Sequence, residues 1–499
     1  MDSSRSTKLL WIIVIILTIG AFSPSLLGDF VWDDHAVITD NEQMRESALS
    51  LLTKPFAAAK SRGYWRPLTA LTLWLDYRIG QGSPLPFRLF NLIAHLISVL
   101  LFCALLNKLL PQKPFVVWTS GLLFALHPAH GESVGWIVGR TNVLAGLFTL
   151  ATIALAQGFI KSGKRAFWLF SLTTFLLGLF SKESASMALL LVPLVAWAID
   201  LEAEEKRRTL HWFLSGLVLF FLWSGARYLV LGSFSRDLTG VAFAQLSPFQ
   251  RIPLAIAVLG RYTQLAFFPY EILPVYPGSI LPSAWSLSDW TFLGLLAIVL
   301  GLIIISVLYW KREPFVTTGF LWFFVCLAPV SQLLLVLNFP IAVRCLYLPL
   351  MGWSLGVALL LQEIPLPKLR MAIVTLLILF FVLSLQDNCH MWSNDVKLWQ
   401  SCIQRRQGQT TLRVLIEMGL AYSKSGQADL AMQWYEKAEA LNETKFDLQV
   451  KMARAQMQMG HVKRAANRLR RHLEKHPNDK LAKENLEFLI AKVGHKATN

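Results

Sequence analysis

The tripeptide Trp32-Asp33-Asp34 stands just after the first long apolar run, Leu9 to Leu27. That run is long enough to cross a bilayer, which takes roughly 20 residues. Two adjacent carboxylates at a membrane exit are costly to hold near hydrocarbon, so they are the first candidates for a catalytic centre. His130 and Glu132 lie in another polar segment, and a His-x-Glu pair can orient a carboxylate or contact hydroxyls. Four cations, Arg66, Arg140, Lys182 and Arg344, fall at predicted loops or helix ends. Arg344 lies just inside an apolar run, where an unpaired charge is expensive. Each residue also has a plainer reading. The carboxylates fit a solvated loop or a helix N-terminus, and His130 and Glu132 fit a helix cap. Each arginine fits interfacial snorkelling, and Lys182 fits pairing with Glu183. Trp32, Trp65, Trp136 and Tyr347 read more simply as an interfacial aromatic belt than as stacking platforms for a ligand.

The elements that must position these groups are membrane helices. The chain has 499 residues, of which 55% are hydrophobic and 16% charged, with a mean hydropathy of +0.49. Soluble domains carry about 25% charged residues. A polytopic membrane protein with a polar tail follows. The net charge of +16 reflects Lys and Arg gathered in short loops rather than nucleic-acid binding. Arg5 and Lys8 place the N-terminus in the cytoplasm, and the first run reads as a retained helix rather than a cleaved signal. Lys108/Lys113, Lys161/Lys164/Arg165, Lys206/Arg207/Arg208, Lys311/Arg312 and Lys368/Arg370 mark cytoplasmic loops. The opposite loops carry Trp32-Asp33-Asp34, His127 to Thr141, and Ser181-Lys182-Glu183.

Residues 28–86 form a polar stretch with amphipathic portions near Ala48–Lys60 and Leu68–Ile79. The loops 232–251 and 270–288 both count as outside. The run 252–269, with Pro253, Arg261, Gln264 and Pro269, then reads as re-entrant or interfacial. That leaves about eleven spans and an extracytoplasmic tail; counting 252–269 as a span would put the tail in the cytoplasm. Cys103, Cys326 and Cys345 read as core residues. Cys389 and Cys402 could pair outside the cytoplasm, although no spacing rule demands it. No metal-ligand spacing is present.

From about residue 388 the chain is polar and repeats. Gly419, Tyr422, Gly426, Ala431, Tyr435 and Ala438 sit at tetratricopeptide spacing, and 34 residues on stand Ala453, Gln456, Gly460, Ala465, Leu469 and His472. The expected organisation is a transmembrane domain over 1–387 and a repeat domain over 388–499. The repeats fall at about 412–445 and 446–479, and helices near 395–404 and 480–493 complete the stack. Such a solenoid binds a peptide or protein segment. The tail holds nineteen Lys/Arg against eleven Asp/Glu, which suits an acidic partner or anionic headgroups.

The order of motifs resembles the transmembrane and tetratricopeptide-repeat O-mannosyltransferases of the glycosyltransferase C superfamily. The matching pieces are Phe30 to Asp34, Tyr64 to Thr69, Phe87 to Asn91 with His95, His127 to Val134, Val138 to Asn142, Ser181-Lys182-Glu183, and Ala342 to Pro349. Ser184-Ala185-Ser186 stands where the family usually has a Gly, and Asn142 where it usually has an acidic residue. The short repeat array is similar to that of a bacterial member, which points to a bacterial inner membrane. The resemblance implies an all-α, GT-C-like helical bundle with a C-terminal α-solenoid. It also implies transfer of a sugar, mannose in the family, from a polyprenyl-phosphate carrier to a hydroxyl of a protein acceptor on the outer side.

In that frame Asp33 is the general base of an inverting transfer, because a phosphate leaving group needs no acid partner. Asp34 then positions the acceptor or binds a divalent cation, and His130 and Glu132 contact sugar or acceptor. Arg344, then Arg140, Arg66 and Lys182, hold the donor phosphate, since a guanidinium fork can bond two phosphate oxygens. Rival readings are a transferase acting on a glycan or lipid, a non-enzymatic membrane-anchored repeat scaffold, and a flippase. The scaffold leaves Asp33, Glu132 and Arg344 without a role, and a flippase would need charges along a path rather than at one face.

Overall fold

The computed structural model describes residues 3–56, 63–233, 245–270, 272–276, 290–405, 411–441 and 446–496, and among these the regular elements are helices without strands. They form two compact units, Met1–Ser393 and Asn394–Asn499. The polar tail thus begins about six residues later than residue 388, because the preceding helix runs on through Met391.

The first unit contains α1 (Ser3–Phe22), α2 (Ser50–Thr53), α3 (Pro67–Gly80), α4 (Leu85–Leu109), α5 (Pro114–Leu126), α6 (Arg140–Ser162), α7 (Arg165–Ser181), α8 (Ala188–Trp197), α9 (Ala203–Leu231), α10 (Pro248–Phe267), α11 (Trp290–Tyr309), α12 (Pro314–Leu327), α13 (Pro349–Gln362) and α14 (Pro367–Met391). Proline opens several of them, where its fixed φ suits the first turn and its missing N–H costs nothing. Among the described residues six helices are long and apolar enough to cross a membrane: Leu10–Leu27, Leu85–Leu109, Arg140–Ser162, Ala203–Leu231, Trp290–Tyr309 and Pro367–Met391. Pro114–Leu126, Arg165–Ser181, Glu183–Trp197, Pro314–Val330 and Pro349–Gln362 are apolar but shorter. The protein is a multi-pass membrane protein.

The amphipathic portion expected over Ala48–Lys60 yields only the single turn α2, and residues 57–60 lie outside the described residues. Most of the expected outer loops, 234–244, 271 and 277–289, also lies outside them. The segment between those loops is α10. It opens on a Ser247/Gln250 capping box and buries Leu254, Ala257, Val258 and Leu265 in the same core as α4 to α6.

Packing is tight where helices pair. A Cβ on Gly319 of α12 would come within 2.7 Å of the Gly352 carbonyl oxygen and the Gly356 nitrogen of α13, so the two backbones touch only because neither side carries a side chain. α4 packs on α5 and α6. Along one of its faces Arg88, Asn91, His95 and Ser98 are all buried, at helical spacing. This polar stripe anchors the loops described below.

The second unit stacks α15 (Asp395–Gln404), α16 (Leu412–Lys424), α17 (Ala428–Glu439), α18 (Phe446–Gln458), α19 (Val462–Lys475) and α20 (Lys480–Lys496) as successive hairpins, an α-solenoid. Gly426 and Gly460, 34 residues apart, turn each hairpin at φ 79° and 80°. The five cysteines are free thiols, Cys389 and Cys402 included.

Candidate functional site

The Trp32-Asp33-Asp34 turn is strained. Trp32 has φ +57°, an outlier for a bulky side chain. Such conformations cost about 1–3 kcal/mol and persist only when their surroundings over-determine them. The surroundings do so here. Asp34 is buried, its Oδ2 accepting from the Val31 N–H at 2.9 Å and its Oδ1 from the Val138 N–H at 3.1 Å. The Trp32, Trp136 and Trp392 rings stack with centroids 5.3 to 6.0 Å apart. Burial pushes the Asp34 carboxyl up to about 7, against the pull of its two amide donors and of Arg88. Asp33, one residue earlier, is exposed.

Arg88 of α4 ties this turn to its neighbours. Its guanidinium is buried and donates to the carbonyl oxygens of Gly135 at 2.6 Å and Trp392 at 3.1 Å, and also to that of Asp29. Asn91, one turn on, donates to the carbonyls of Val134, Trp136 and Ile137. Three carbonyls on one guanidinium satisfy backbone groups that the irregular loops cannot pair among themselves.

The loop after α5 carries Glu132, which is 1% exposed. Both its oxygens are taken by one residue: the Arg344 backbone N–H donates to Oε2 at 2.9 Å and the Arg344 Nη1 to Oε1 at 2.5 Å. The guanidinium carbon lies 5.0 Å from the Phe339 ring centre and 5.7 Å from that of Trp136. Trp136 therefore bridges the Trp32 turn and Arg344. The segment delivering Arg344 is held by two side chains. Gln332 donates to the Phe339 carbonyl at 2.7 Å and accepts from Leu337 N–H at 2.9 Å. The Tyr262 hydroxyl of α10 accepts from the Ala342 N–H at 3.0 Å.

A further group gathers at the α7–α8 junction. Arg66 pairs with Glu183 at 2.8 Å and lies 4.1 Å over the Tyr64 ring. Thr69, in the first turn of α3, donates to the Ser181 carbonyl at 3.0 Å. Lys182 donates to the Asn142 side-chain oxygen. With an acidic residue at 142 it would meet a charge instead of an amide. Burial, then the nearby charges of Arg66 and Arg344, bring Lys182 down to about 8.

Of the candidates read from sequence, the structure brings Glu132, Arg344, Arg66 and Lys182 together and leaves Asp33 exposed on the neighbouring turn. It turns the rest inward. Asp34 spends both oxygens on backbone amides. Arg140 is fully buried, pairs with Asp76, and donates to Asn91 Oδ1 and the Phe87 carbonyl at 2.8 Å each, with Phe90 under its guanidinium. It is a cross-link between α3, α4 and α6 rather than a free phosphate ligand. His130 is enclosed by the rings of His95, Phe124 and Tyr347 at 4.8 to 5.1 Å. Burial and the neighbouring His95 and His127 hold it well below its usual range. Among the described residues no group of three or more His, Cys, Asp or Glu could hold a metal ion.

Arg88, Asn91, Asp76 and Tyr262 were not singled out from sequence. Arg88 and Asn91 lie in a quoted motif, and the signal available was their helical spacing with His95. Asp76 was legible as a carboxylate among the apolar positions of an amphipathic helix. Nothing in the sequence marks Tyr262.

Residues 422–485 match the family model for the tetratricopeptide repeat. Protein O-mannosyl-transferase F38B6.6 of Caenorhabditis elegans is 25% identical over 78% of this chain and 57% of its own length. Human protein O-mannosyl-transferase TMTC4 is 26% identical over 79% of this chain and 61% of its own length. Human protein O-mannosyl-transferase TMTC3 is 35% identical over 26% of this chain and 14% of its own length. The chain thus spans about three fifths of the relatives that it matches most extensively. No solved structure matches it. The chain is thus similar, over most of its length, to proteins named protein O-mannosyl-transferases.

Proposed function

We propose that the chain is a membrane glycosyltransferase that moves a sugar, mannose, from a polyprenyl-phosphate donor to a hydroxyl of a protein acceptor on the outer side of the membrane. The observation carrying this reading is the grouping of Arg66, Lys182 and Arg344 beside a turn that exposes one carboxylate and buries the other. The reaction class follows the protein O-mannosyl-transferases that the chain resembles.

Asp33 accepts the acceptor hydroxyl's proton as that oxygen attacks the anomeric carbon. The bond from that carbon to the phosphate oxygen breaks on the opposite side, so the configuration inverts. The phosphate departs with an added negative charge, and preformed cations aimed at developing charge lower the barrier. Three cations against the two carboxylates Glu132 and Glu183 leave the cluster positive at rest. Glu132 holds Arg344 in its charged form, and Lys182 donates from an ammonium.

Both Asp34 oxygens accept from backbone amides, so its part is to hold the Trp32 turn to Val138. The other polar ends support one working face. Lys113–Glu313, Arg312–Glu363 and Lys161–Glu205 pair among the loops assigned to the cytoplasm, away from the motif loops. Eleven crossings, the short apolar helices included, with a cytoplasmic N-terminus and an extracytoplasmic repeat unit, fit that division. The repeat unit presents the acceptor.

The test is labelled-mannose transfer from polyprenyl-phosphate mannose, with proteins and glycolipids assayed separately. Asp33→Asn is expected to lower transfer to protein by about 10²–10⁴-fold with donor binding intact. Full activity in that variant would overturn the assignment of the base, and label found only in lipid would overturn the protein acceptor.

A further inference from the structure

Helix α19 carries Lys463, Arg464, Arg468, Arg470, Arg471 and Lys475 against the single acid Glu474. Its apolar positions Ala465 and Leu469 are buried in the core of the repeat unit. Arg468 is partly covered and used internally, pairing with Glu439 at 3.3 Å and donating to Gln449 at 2.8 Å. The other five cations are exposed, and none forms an ion pair among the described residues. Arg470 and Arg471 reach only Asn467, at 3.5 Å. Like charges at this spacing repel, and Arg471 and Lys475 stand one turn apart at i,i+4. The helix keeps a ridge of charge that its own fold does not neutralise.

Resting on the acceptor role of the repeat unit, we propose that this ridge binds an acidic, extended stretch of the acceptor polypeptide. The pairs Lys463/Arg464 and Arg470/Arg471 are one heptad apart, roughly 10.5 Å along the helix at 1.5 Å per residue. Carboxylates three residues apart on a polyproline-II segment recur on one side about every 9.3 Å, a near match. Three of the five free cations are arginines, whose planar fork grips a carboxylate with two bonds. A bilayer fits less well, because α19 has no apolar side chain left to insert. A single-stranded nucleic acid fits less well too, because the exposed face has no aromatic ring for base stacking.

The test uses the full chain in phosphatidylcholine nanodiscs and reads fluorescence anisotropy. The probes are a fluorescein-labelled 15-residue peptide with Asp at every third position among Pro, Ser and Thr, and the same peptide with Asn for Asp. The acidic peptide is expected to bind about tenfold tighter or more at low salt, from several exposed pairs acting together. The preference should shrink as the salt is raised. The double variant Arg464→Glu/Arg471→Glu should lose the preference, and Arg464→Gln/Arg471→Gln should lose most of it if the reversal misfolds. Equal binding of the two peptides, or a preference surviving both variants, would overturn the proposal. So would loss in the variants of phosphatidylglycerol-vesicle binding with peptide binding unchanged. Because anisotropy needs no turnover, a wild-type chain that prefers the acidic peptide but transfers no sugar would sink the transferase reading alone.

Discussion

Arg344 closes on Glu132 twice, through its guanidinium at 2.5 Å and through its own backbone N–H at 2.9 Å. One carboxylate thereby sets both the position of the chain at residue 344 and the direction of its cation. Glu132→Ala would leave the guanidinium, whose side chain is only 20% exposed, without a partner. Breaking a buried pair costs about 3–5 kcal/mol, and the residual exposure of Arg344 places this one at the lower end. Melting temperatures of Glu132→Ala, Arg344→Ala and the double variant in detergent check it. A coupling of about 0.5–3 kcal/mol is expected, whereas additive losses would show that the two do not act as a unit.

The buried cross-link Arg140–Asp76 should behave as structure rather than as a donor ligand. Arg140→Ala strands the Asp76 carboxylate and is expected to cost about 3–5 kcal/mol, while Arg140→Met/Asp76→Leu recovers much of it. Thermal unfolding of both proteins decides this. A well-folded Arg140→Ala protein with a raised KM for donor would return Arg140 to the phosphate site.

Lys182 titrates near 8 because burial and two neighbouring cations oppose its charge. Below that pH it is an ammonium and attracts phosphate; above it the charge is lost. Donor affinity should therefore weaken as pH rises from about 7 to 9. Lys182→Arg, which stays protonated, should flatten the profile. Donor KM measured across that range reads the effect directly.

Asp34 titrates near 7 in the folded protein against 3.8 for the free side chain. The folded state therefore holds a proton that the unfolded state has released over that interval. Its contribution is full below about 3.8 and is lost as pH rises through about 7. Asp34→Asn removes the titration, so the variant's melting temperature should vary less between pH 4 and pH 8 than the wild type's. An unchanged slope would mean that Asp34 does not titrate there.

Much of this protein is legible in local pattern. Apolar runs, basic loops and a 34-residue period depend on neighbours in the chain, so they name membrane helices and repeat hairpins without knowledge of packing. The motif loops were legible too, since polar residues between apolar runs must do something. Which of their side chains face outward was not. Asp33 and Asp34 are adjacent and alike, yet a left-handed Trp32 sends one to solvent and hands the other to two backbone amides. Arg140 and Arg344 look equivalent as arginines at helix ends, but one meets Asp76 from a distant helix and the other meets Glu132 beside the rings of Trp136 and Phe339.

Sequence alone determined the class of molecule, the two-part organisation and the short roster of residues able to do chemistry, because hydropathy, charge placement and repeat spacing are properties of the chain read in order. Tertiary structure decided which members of that roster meet. A charge near the membrane is tolerated only beside a partner or water, and the partners here lie 64 residues away for Arg140 and 212 for Arg344.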